Sequence, residues 1–334
     1  MVIEPAPDDV VALADARAVA RRARDWSTAD ELLARITSAG WKVIDVGTLY
    51  DLVRAAPLDV AIGDVLRYGS AASVPSRLDE AAQGVATLIL LATDWPTDLA
   101  RTIAAVAATS PAGTQIVVVG NNESADQAAA LDALAGAGDP VPGVALEVVR
   151  TSSRLGFAAA LNVGIRRAIA PVVILLDTSV EPGSDLVTAI TTALADPTVA
   201  VAGPFALVST DLRHFTEAAS GMVDVDAIEG YALGFRRADY SARGPLDEHF
   251  GFYRNLDIWW SLVLRDLGEE EPDDATPRRA VRLSGLNLQR HAHREWDSLS
   301  GPARERASKK NFYRVLKSFA TRRDLLVAPG DDPS

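Results

Sequence analysis

Continuous apolar runs alternate with segments of helical periodicity between residues 84 and 177. Such alternation is typical of a mostly parallel β-sheet with helices on both faces, because each strand is then buried on both sides. The pattern therefore predicts an α/β, Rossmann-like fold. The predicted strands are 84–95, 114–124, 144–151 and 171–177, and the predicted helices are 96–110, 125–138 and 157–170.

Small or polar residues follow each of these predicted strands. In open α/β sheets, ligands bind in the crevice beyond the carboxyl ends of the strands. We therefore expect the strand ends to converge on one binding crevice. The segments that follow the strands are 93–94, 120–122, 151–156 and 177–179.

The chain before this pattern predicts a small helical module. Residues 8–24 have helical periodicity, and Ser-Thr-Ala-Asp at 27–30 is a capping box in its acidic form that starts a second helix ending at Gly40. A short strand is predicted at 41–46, whereas 55–82 contain few periodic signals and are interpreted mostly as a connection. The predicted organisation is a helical hairpin with a short strand (1–50), a linker (51–82), an α/β domain (83–300), and a basic helix with an acidic tail (301–334).

The composition excludes several classes of protein. The 334 residues include no cysteine, which rules out disulfides, thiolate zinc sites and cysteine nucleophiles. No apolar run approaches the roughly 18 to 20 residues of a transmembrane helix, and the acidic N-terminus does not resemble a secretory signal, so we expect a cytoplasmic location. The net charge of −12 argues against a general nucleic-acid binder.

Positive charge is concentrated near the C-terminus, where residues 278–323 hold thirteen Arg or Lys against three acids. This segment either neutralises the acidic body or binds an anionic partner. Residues 304–323 predict a helix with one apolar face and a basic rim, which packs against the domain. The alternative is a peripheral contact with anionic lipid at the inner face of a membrane, or with a lipid-phosphate acceptor. The apolar face consists of Phe312, Val315, Leu316 and Phe319.

Five quoted segments stand in an order that resembles a known family. They are "LILLATDWPTDLART", "IVVVGNNESAD", "RLGFAAALNVGIRRA", "LLDTSVEP" and "IEGYALGFRRADYSARGPLDEHFGFYRNLDIWWSLVLRDLG". Over about two thirds of the chain this order is similar to that of the family 2 glycosyltransferases. The resemblance implies a GT-A fold and transfer of a sugar from a nucleotide-diphosphate donor to an acceptor hydroxyl, with inversion.

The resemblance implies that Asp257 is the base that takes the proton of the acceptor hydroxyl. The alternative interpretation is that Asp257 caps a helix beside Asn255. Where the family has a Glu before this Asp, this chain has Leu256, so half of the usual pair is missing.

The resemblance also implies that Asp177 binds the diphosphate and a divalent metal, Mg²⁺ or Mn²⁺. The second Asp of the family's Asp-x-Asp motif is Ser179 here, which supplies no charge. A late His often joins the metal in this family, and His291 and His293 stand two residues apart, on the same side of an extended chain. The alternatives are a turn at Asp177 and a surface loop around the two His residues.

The remaining residues matched by the resemblance are expected to bind the nucleotide sugar. Gly120 replaces a family Asp that hydrogen-bonds the base, so one of the two following Asn residues is the expected substitute. Gly230 lies where the sugars approach the backbone, which suits a residue without a side chain. The full expected set is Thr93, Asp94, Asn121, Asn122, Arg154, Gly156, Asn162, Asp177, Ser179 and Gly230.

Two other functions remain open. The departures at Gly120, Ser179 and Leu256 favour a non-catalytic nucleotide-sugar-binding or scaffold protein of the same fold. Residues 20–45 resemble a helical segment near the C-terminus of cysteinyl-tRNA synthetases, which suggests an RNA-associated protein, although the acidic body disfavours it. The acceptor is not identified by the sequence; a lipid-linked or cell-envelope glycan is one candidate.

Overall fold

The structure is a computed structural model that describes residues 6–46, 49–55, 57–92, 94–267, 277–294 and 300–328. The chain forms two compact units, residues 1–60 and residues 61–334. In the described ranges, no helix is both long enough and apolar enough to span a bilayer.

The first unit contains two helices and an antiparallel strand pair: α1 (Asp8–Arg22), α2 (Trp26–Ser38), β1 (Trp41–Val46) and β2 (Leu49–Arg54). Its small apolar core includes Val10, Ala14, Ile36 and Trp41. Arg17 and Arg21 both bind the carboxylate of Asp45, which joins α1 to β1. The helical hairpin and the strand at 41–46 are confirmed, but β2 was not predicted.

The predicted capping box at 27–30 is wrong. The helix begins at Trp26, and the carboxylate of Asp25 accepts hydrogen bonds from the backbone N–H of Thr28 at 3.2 Å and from its hydroxyl at 2.7 Å. Asp is as good an N-cap as Ser, so two acceptor contacts from Asp25 start the helix earlier than predicted.

The second unit is built around one large sheet. Its strands are β3 (Val60–Ile62, at the unit boundary), β4 (Val65–Tyr68), β5 (Ala86–Ala92), β6 (Thr114–Asn121), β7 (Val144–Thr151), β8 (Val172–Leu176), β10 (Val199–Gly203), β13 (Asp224–Val225), β15 (Ala232–Arg236) and β16 (Arg279–Arg282). In the described part of the chain the strand order is β13-β16-β10-β15-β8-β5-β6-β7-β4-β3. Neighbours from β8 to β4 are parallel, whereas β15 is antiparallel to both of its neighbours.

Smaller strands and seven helices with described bounds complete this unit. The strands are β9 (Val180–Pro182), β11 (Ala206–Ser209), β12 (Phe215–Glu217), β14 (Ala227–Ile228) and β17 (Leu288–Arg290). The helices are α3 (Pro96–Thr109), α4 (Ala125–Ala137), α5 (Phe157–Ile165), α6 (Leu186–Leu194), α7 (Arg237–Arg243), α8 (Leu256–Arg265) and α9 (Gly301–Phe319).

Successive residues of the central strands enter different apolar cores. Ile89 of β5 lies in the core that contains residues of α5 and α8, whereas Leu88 and Leu90 lie in the core that contains residues of α3 and α6. Side chains alternate between the faces of a strand, so both faces of the sheet are covered. The α/β fold predicted from continuous apolar runs is therefore confirmed.

The interpretation of residues 55–82 as mostly a connection is wrong in part. Within this stretch, β4 joins the main sheet through parallel pairing of Arg67 with Arg150 and of Tyr68 with Thr151. A strand of four residues is too short for its period to be recognised, and its pairing with β7 stabilises it. Helix α5 also ends at Ile165, earlier than predicted. The limits of the sequence-based domains remain a prediction.

The C-terminal helix α9 packs against α8 as predicted, with Val315 and Phe319 buried. Asn311 anchors it by donating hydrogen bonds to the carbonyl oxygens of Phe252 at 2.7 Å and Arg254 at 2.9 Å. Because the apolar face is turned inward, it is not free to enter a membrane. Contact of the basic rim with anionic lipid remains a hypothesis.

Candidate active site

A cavity of about 1150 Å³ lies beside the carboxyl end of β8. Its size suits a ligand larger than a monosaccharide, since small-molecule sites commonly measure about 300 to 1,000 Å³. Asp177 follows β8 and enters the cavity on one side, and Asp257 enters it from the first turn of α8. Helix α9 forms part of the wall through residues that include Ser308 and Phe312.

The carboxylate of Asp257 is held by two backbone amides. Its Oδ2 accepts a hydrogen bond from Gly230 N at 2.9 Å, and its Oδ1 accepts one from Ile258 N at 2.9 Å. Burial raises the pKa of Asp257 above its ordinary value, although these two N–H groups and the charge of Arg254 act in the opposite direction. The site thus holds a carboxylate in a fixed orientation and strengthens it as a proton acceptor.

The interpretation of Asp257 as the cap of α8 is wrong. The N-cap residue is Asn255, which has a left-handed backbone with φ of 69° and whose side chain donates to Ser308 O at 3.0 Å. Asp257 lies inside the helix and reaches across to Gly230. Leu256, where the family has a Glu, is 2% exposed and belongs to the apolar core.

Asp177 and His293 face each other at the other side of the cavity. Their Oδ2 and Nε2 atoms are 3.5 Å apart, and Oδ1 of Asp177 accepts a hydrogen bond from Ser179 N at 2.8 Å. The ring of His293 stacks on Tyr253 with centroids 4.2 Å apart and meets Tyr231 edge-on at 5.8 Å. Aromatic contacts on two sides therefore hold the imidazole toward the carboxylate.

The structure does not bring His291 to the same carboxylate. Pairing of β17 with β9 places His291 next to Ser179, whose carbonyl accepts its backbone N–H at 2.7 Å. Its Nε2 lies 2.8 Å from Oε2 of Glu181, and Arg101 lies 3.6 Å from the same oxygen. His293 is therefore the imidazole beside Asp177, whereas His291 faces Glu181, and a metal role for either His residue remains a prediction.

The residues present fit a divalent ion that keeps water ligands. Asp177 and His293 offer one carboxylate and one imidazole, and the buried hydroxyl of Ser179 has no hydrogen-bond partner among the described residues. All three line a small cavity of about 10 Å³, comparable with the space for one water. No cluster of three or more acidic, His or Cys ligands occurs in the described ranges, so an ion here depends on water and phosphate oxygens.

Two arginines bring positive charge to the same corner. Asp98, which is 3% exposed, accepts from Arg101 and from Arg294, each at 2.9 Å. Burial acts against ionisation of this carboxyl, but the two guanidinium groups hold the pKa of Asp98 below its ordinary value. Arg101 also donates to Thr178 O at 3.0 Å, between Asp177 and Ser179. The sequence analysis missed all three side chains, since nothing in their local pattern marks them.

The other expected nucleotide contacts cluster at the strand ends. The sheet register aligns Ala92 with Gly120 and Asn121 with Thr151, which confirms that these ends converge. The described members of this group do not line the large cavity. They are Asp94, Asn121, Asn122, Arg154 and Gly156, whereas Thr93 lies outside the described residues.

Several of these side chains are occupied by the protein itself. Asp94 accepts from Ser124 N at 2.6 Å, and Asn121 bridges to both the N–H and the carbonyl of Leu155 at 2.8 and 3.0 Å. Asn122 has a left-handed backbone, with φ of 53°. Arg154 is exposed. Binding of a nucleotide by this group stays a prediction.

Gly120 has a structural explanation. A Cβ at this position would lie 2.8 Å from Oε2 of Glu123, which is too close for any real side chain. The side chain of Glu123 is fully buried and pairs with Arg67 at 2.9 Å and with Arg150 at 3.5 Å. An Asp at this position would therefore require the buried carboxylate of Glu123 and the end of the Leu131 side chain to shift.

Asn162 forms a complete internal network. Its Nδ2 donates to Leu246 O at 2.9 Å and to Glu248 Oε1 at 3.2 Å, and its Oδ1 accepts from Tyr240 Oη at 2.9 Å and Leu246 N at 3.1 Å. All four hydrogen-bonding positions of the amide are filled, so none is left for a ligand. The geometry indicates that Asn162 stabilises the segment before α8 and does not contact a sugar.

Replacement of Asn162 by Ala tests this role. We expect the free energy of unfolding to fall by about 3 kcal/mol, because buried partners lose their hydrogen bonds. Denaturant titration measures the loss, and nucleoside diphosphate affinity of the folded variant should be unchanged. A stable variant with weakened nucleotide binding would instead restore Asn162 as a binding residue.

Glu229 is an acidic residue of the cavity lining that sequence reasoning did not single out. It follows β14, precedes Gly230 and lines the cavity together with Asp257. Burial, and then the negative charge of Asp257, raise the pKa of Glu229 to about 7. The only signal in the local sequence that could have identified Glu229 is its position directly before Gly230, where the sugars are expected to approach the backbone.

Comparisons with known proteins support the fold, and a family model matches part of the chain. Residues 94–257 match the family described as "Glycosyl transferase family 2". The chain is similar to GalNAc-T7 solved with UDP, GalNAc and Mn²⁺, with 14% identity, a TM-score of 0.55, and coverage of 81% of this chain and 53% of that chain. It is also similar to TarS of S. aureus in complex with UDP, with 11% identity, a TM-score of 0.50, and coverage of 74% and 67%.

A mannosyltransferase of Pyrobaculum calidifontis, solved with GDP-Man and Mn²⁺, shows 20% identity, a TM-score of 0.46, and coverage of 63% of this chain and 57% of that chain. The chain thus spans only 53% of GalNAc-T7 and 57% of this mannosyltransferase. No curated protein sequence matches it. The resemblance of residues 20–45 to cysteinyl-tRNA synthetases is not supported by these comparisons.

The fold is of the GT-A type found in glycosyltransferases. The segment that matches the family 2 glycosyl transferases, residues 94–257, is just under half of the chain.

Proposed function

We propose that this protein is an inverting glycosyltransferase that uses a nucleotide-diphosphate sugar, with Asp257 as the base. The observation that carries the proposal is the orientation of Asp257, whose two oxygens are held by Gly230 N and Ile258 N at the wall of the large cavity. Asp177 and His293 line the same cavity. The carboxylate that accepts a proton and the group that binds a diphosphate thus share one space.

The chemistry follows from these positions. Ionised Asp257 accepts the proton of an acceptor hydroxyl while the oxygen attacks the sugar carbon. The bond between sugar and diphosphate breaks, and its electron pair leaves with the phosphate oxygen. Asp177 and His293 would hold a divalent ion, which when bound neutralises charge on the leaving diphosphate. The two backbone contacts of Asp257 keep it aligned for this proton transfer.

The similar structures also bear on the choice of ligands. GalNAc-T7 was solved with UDP and Mn²⁺, and TarS with UDP. We therefore propose a nucleoside diphosphate as the part of the donor that this chain binds, with Mg²⁺ or Mn²⁺ as the metal. The identity of the nucleobase is left to experiment, because Gly120 and Glu123 change the expected base contact.

A thermal-shift panel of nucleoside diphosphates tests the donor site. At a ligand concentration of 100 times Kd, binding adds about 2.7 kcal/mol to the stability of the folded state. For one nucleobase we expect a rise in Tm with MnCl₂ or MgCl₂ that EDTA reduces. The same panel without nucleotide is the control for direct metal effects. No rise with any nucleoside diphosphate would contradict the proposed donor site.

A non-catalytic nucleotide-sugar-binding protein is the second candidate. It is favoured by Leu256, whose burial in the core removes one carboxylate of the family's pair. Such a protein would be stabilised by the nucleotide but would not release nucleoside diphosphate from the corresponding sugar donor at any pH. The thermal-shift panel and a nucleoside diphosphate release assay together distinguish the two candidates.

A further inference from the structure

The segment 228–231 is held at four successive residues. Serial anchoring of this kind fixes the backbone, so the side chain of Glu229 enters the cavity from a defined position. The anchors are Ile228 N to Ser261 Oγ at 3.1 Å, Glu229 N to Phe205 O at 2.9 Å, Gly230 N to Asp257 Oδ2 at 2.9 Å, and Asp177 N to Tyr231 O at 3.0 Å.

These anchors bring Glu229 close to the two acids already described. One residue further along the chain, Gly230 binds Asp257 directly, and one residue beyond that, Tyr231 binds the backbone of Asp177. All three acidic side chains line the same cavity. Glu229 is therefore placed by the same segment between β14 and β15 that positions the candidate base.

The carboxylate of Glu229 has unused hydrogen-bonding capacity. It is half-buried, and no described residue donates a hydrogen bond to it. By contrast, both oxygens of Asp257 already accept a backbone N–H. A half-buried carboxylate at the wall of a cavity takes its donors from solvent or from a bound ligand. The hydroxyl groups of a substrate are donors of the required kind.

We infer that Glu229 is a second functional carboxylate of this site, which binds a hydroxyl of the acceptor next to the hydroxyl that Asp257 deprotonates. The acceptor class is then a compound with neighbouring hydroxyls, as in a sugar, and not a lone phosphate. This inference rests on the proposed function. In the reaction, the proton goes to Asp257 and the electron pair of the broken sugar–oxygen bond leaves with the diphosphate.

The charged groups around Glu229 determine how the pair titrates. Asp257 on α8 and Glu217 on β12 disfavour its ionised form, whereas Arg254 before α8 and Arg290 of β17 favour it. Because the two carboxylates of the site repel each other, the second ionisation of the pair occurs at higher pH than either group alone would show. Activity that requires both ionised groups falls as the pH drops below this second step.

Glu229→Gln tests the inference in an assay of nucleoside diphosphate release from the donor with methyl glycosides as acceptors. We expect the KM for the glycoside to rise about tenfold or more, because a hydrogen bond to a charged group is lost. The acid limb of kcat/KM should move to lower pH by at least about half a unit, since the repulsion on Asp257 is removed. Asp185→Asn is the control, because it changes a carboxylate at the N-cap of α6 that neither lines the cavity nor acts on Glu229, and it should change neither quantity.

The possible results separate this inference from the proposed function. A Glu229→Gln enzyme with unchanged glycoside KM and pH profile overturns the role of Glu229 alone. Donor turnover that no methyl glycoside stimulates overturns the polyhydroxyl acceptor but leaves the donor site standing. Wild-type protein that neither binds nor turns over any nucleotide sugar overturns both.

The stability of the protein provides a check that needs no activity. A folded-state pKa raised from 4.5 to about 7 means that the folded protein holds the proton more tightly than the unfolded chain. The stabilisation of the folded state by protonated Glu229 is fully present below pH 4.5 and is lost as the pH rises through about 7. The free energy of unfolding should therefore fall across this window. Glu229→Gln should reduce that fall. The free energy of unfolding of both proteins is measured by urea titration at several pH values. If it depends on pH identically in the two proteins, Glu229 does not take part in titration of the site.

Discussion

Asp257→Asn should lower kcat/KM for sugar transfer by about 10³-fold, within the range that acid–base groups contribute to catalysis. Asn has nearly the same shape as Asp but cannot accept the proton of the acceptor hydroxyl. Its Oδ1 can still accept one of the two N–H groups that hold Asp257, from Gly230 or Ile258. The affinity for nucleoside diphosphate, measured by titration calorimetry, should stay within a factor of about three, which corresponds to less than 1 kcal/mol.

Asp185→Asn is a matched control for this substitution. Asp185 is the N-cap of α6 and accepts from Thr188 N at 2.9 Å, a role that Asn performs equally well. Turnover of the control should equal that of the wild type. If Asp257→Asn also retains full turnover, Asp257 is not the base, and Glu229 is the next cavity carboxylate to test.

Asp177→Asn should weaken nucleoside diphosphate binding at least about tenfold in MnCl₂, and much less in EDTA. Loss of even an indirect partner of a metal commonly costs 10- to 100-fold in affinity or activity, so loss of a direct ligand should cost at least as much. Asn is preferred to Ala for this test, because its Oδ1 can still accept the N–H of Ser179 that Asp177 now accepts. The ratio of the two dissociation constants isolates the contribution of the metal.

The two His residues supply a paired control for the metal site. His293→Gln should reproduce the metal-dependent loss, since its Nε2 faces Asp177 at 3.5 Å. His291→Gln should not, because His291 faces Glu181. Equal losses with and without metal for Asp177→Asn would mean that the carboxylate does not hold an ion. In that case Arg101 and Arg294, which bind Thr178 O and Asp98, are the next cations to replace.

Prediction from the sequence succeeded for elements whose pattern of apolar residues matches their burial in the folded protein. The apolar run before Asp177 is buried on both faces, as expected for a central parallel strand. It failed for β4, whose four residues become a strand only by pairing with β7. It also failed at residue 27, where the cap belongs to Asp25, because either residue type starts a helix equally well.

The candidate site divides in the same way. Asp177 was recognisable because it follows a buried strand, whereas Asp257 was singled out by the family resemblance and not by its local pattern. Their function as metal ligand and base remains a prediction. Asn162 was also singled out, yet its amide is fully used inside the protein. The type and position of a side chain therefore identified candidate residues. They did not reveal which of its hydrogen-bonding atoms remain available to a ligand.

The sequence by itself determined the layered α/β architecture, because burial on both faces leaves a continuous apolar signature. Asp257 became a candidate through the order of the motifs. Only the tertiary structure decided which groups meet. Glu229 lies 28 residues before Asp257, and no local period connects them. Their proximity results from the hydrogen bond between Gly230 and α8. The separation of His291 from His293 has a similar origin, because the pairing of β17 with β9 assigns each imidazole its own carboxylate.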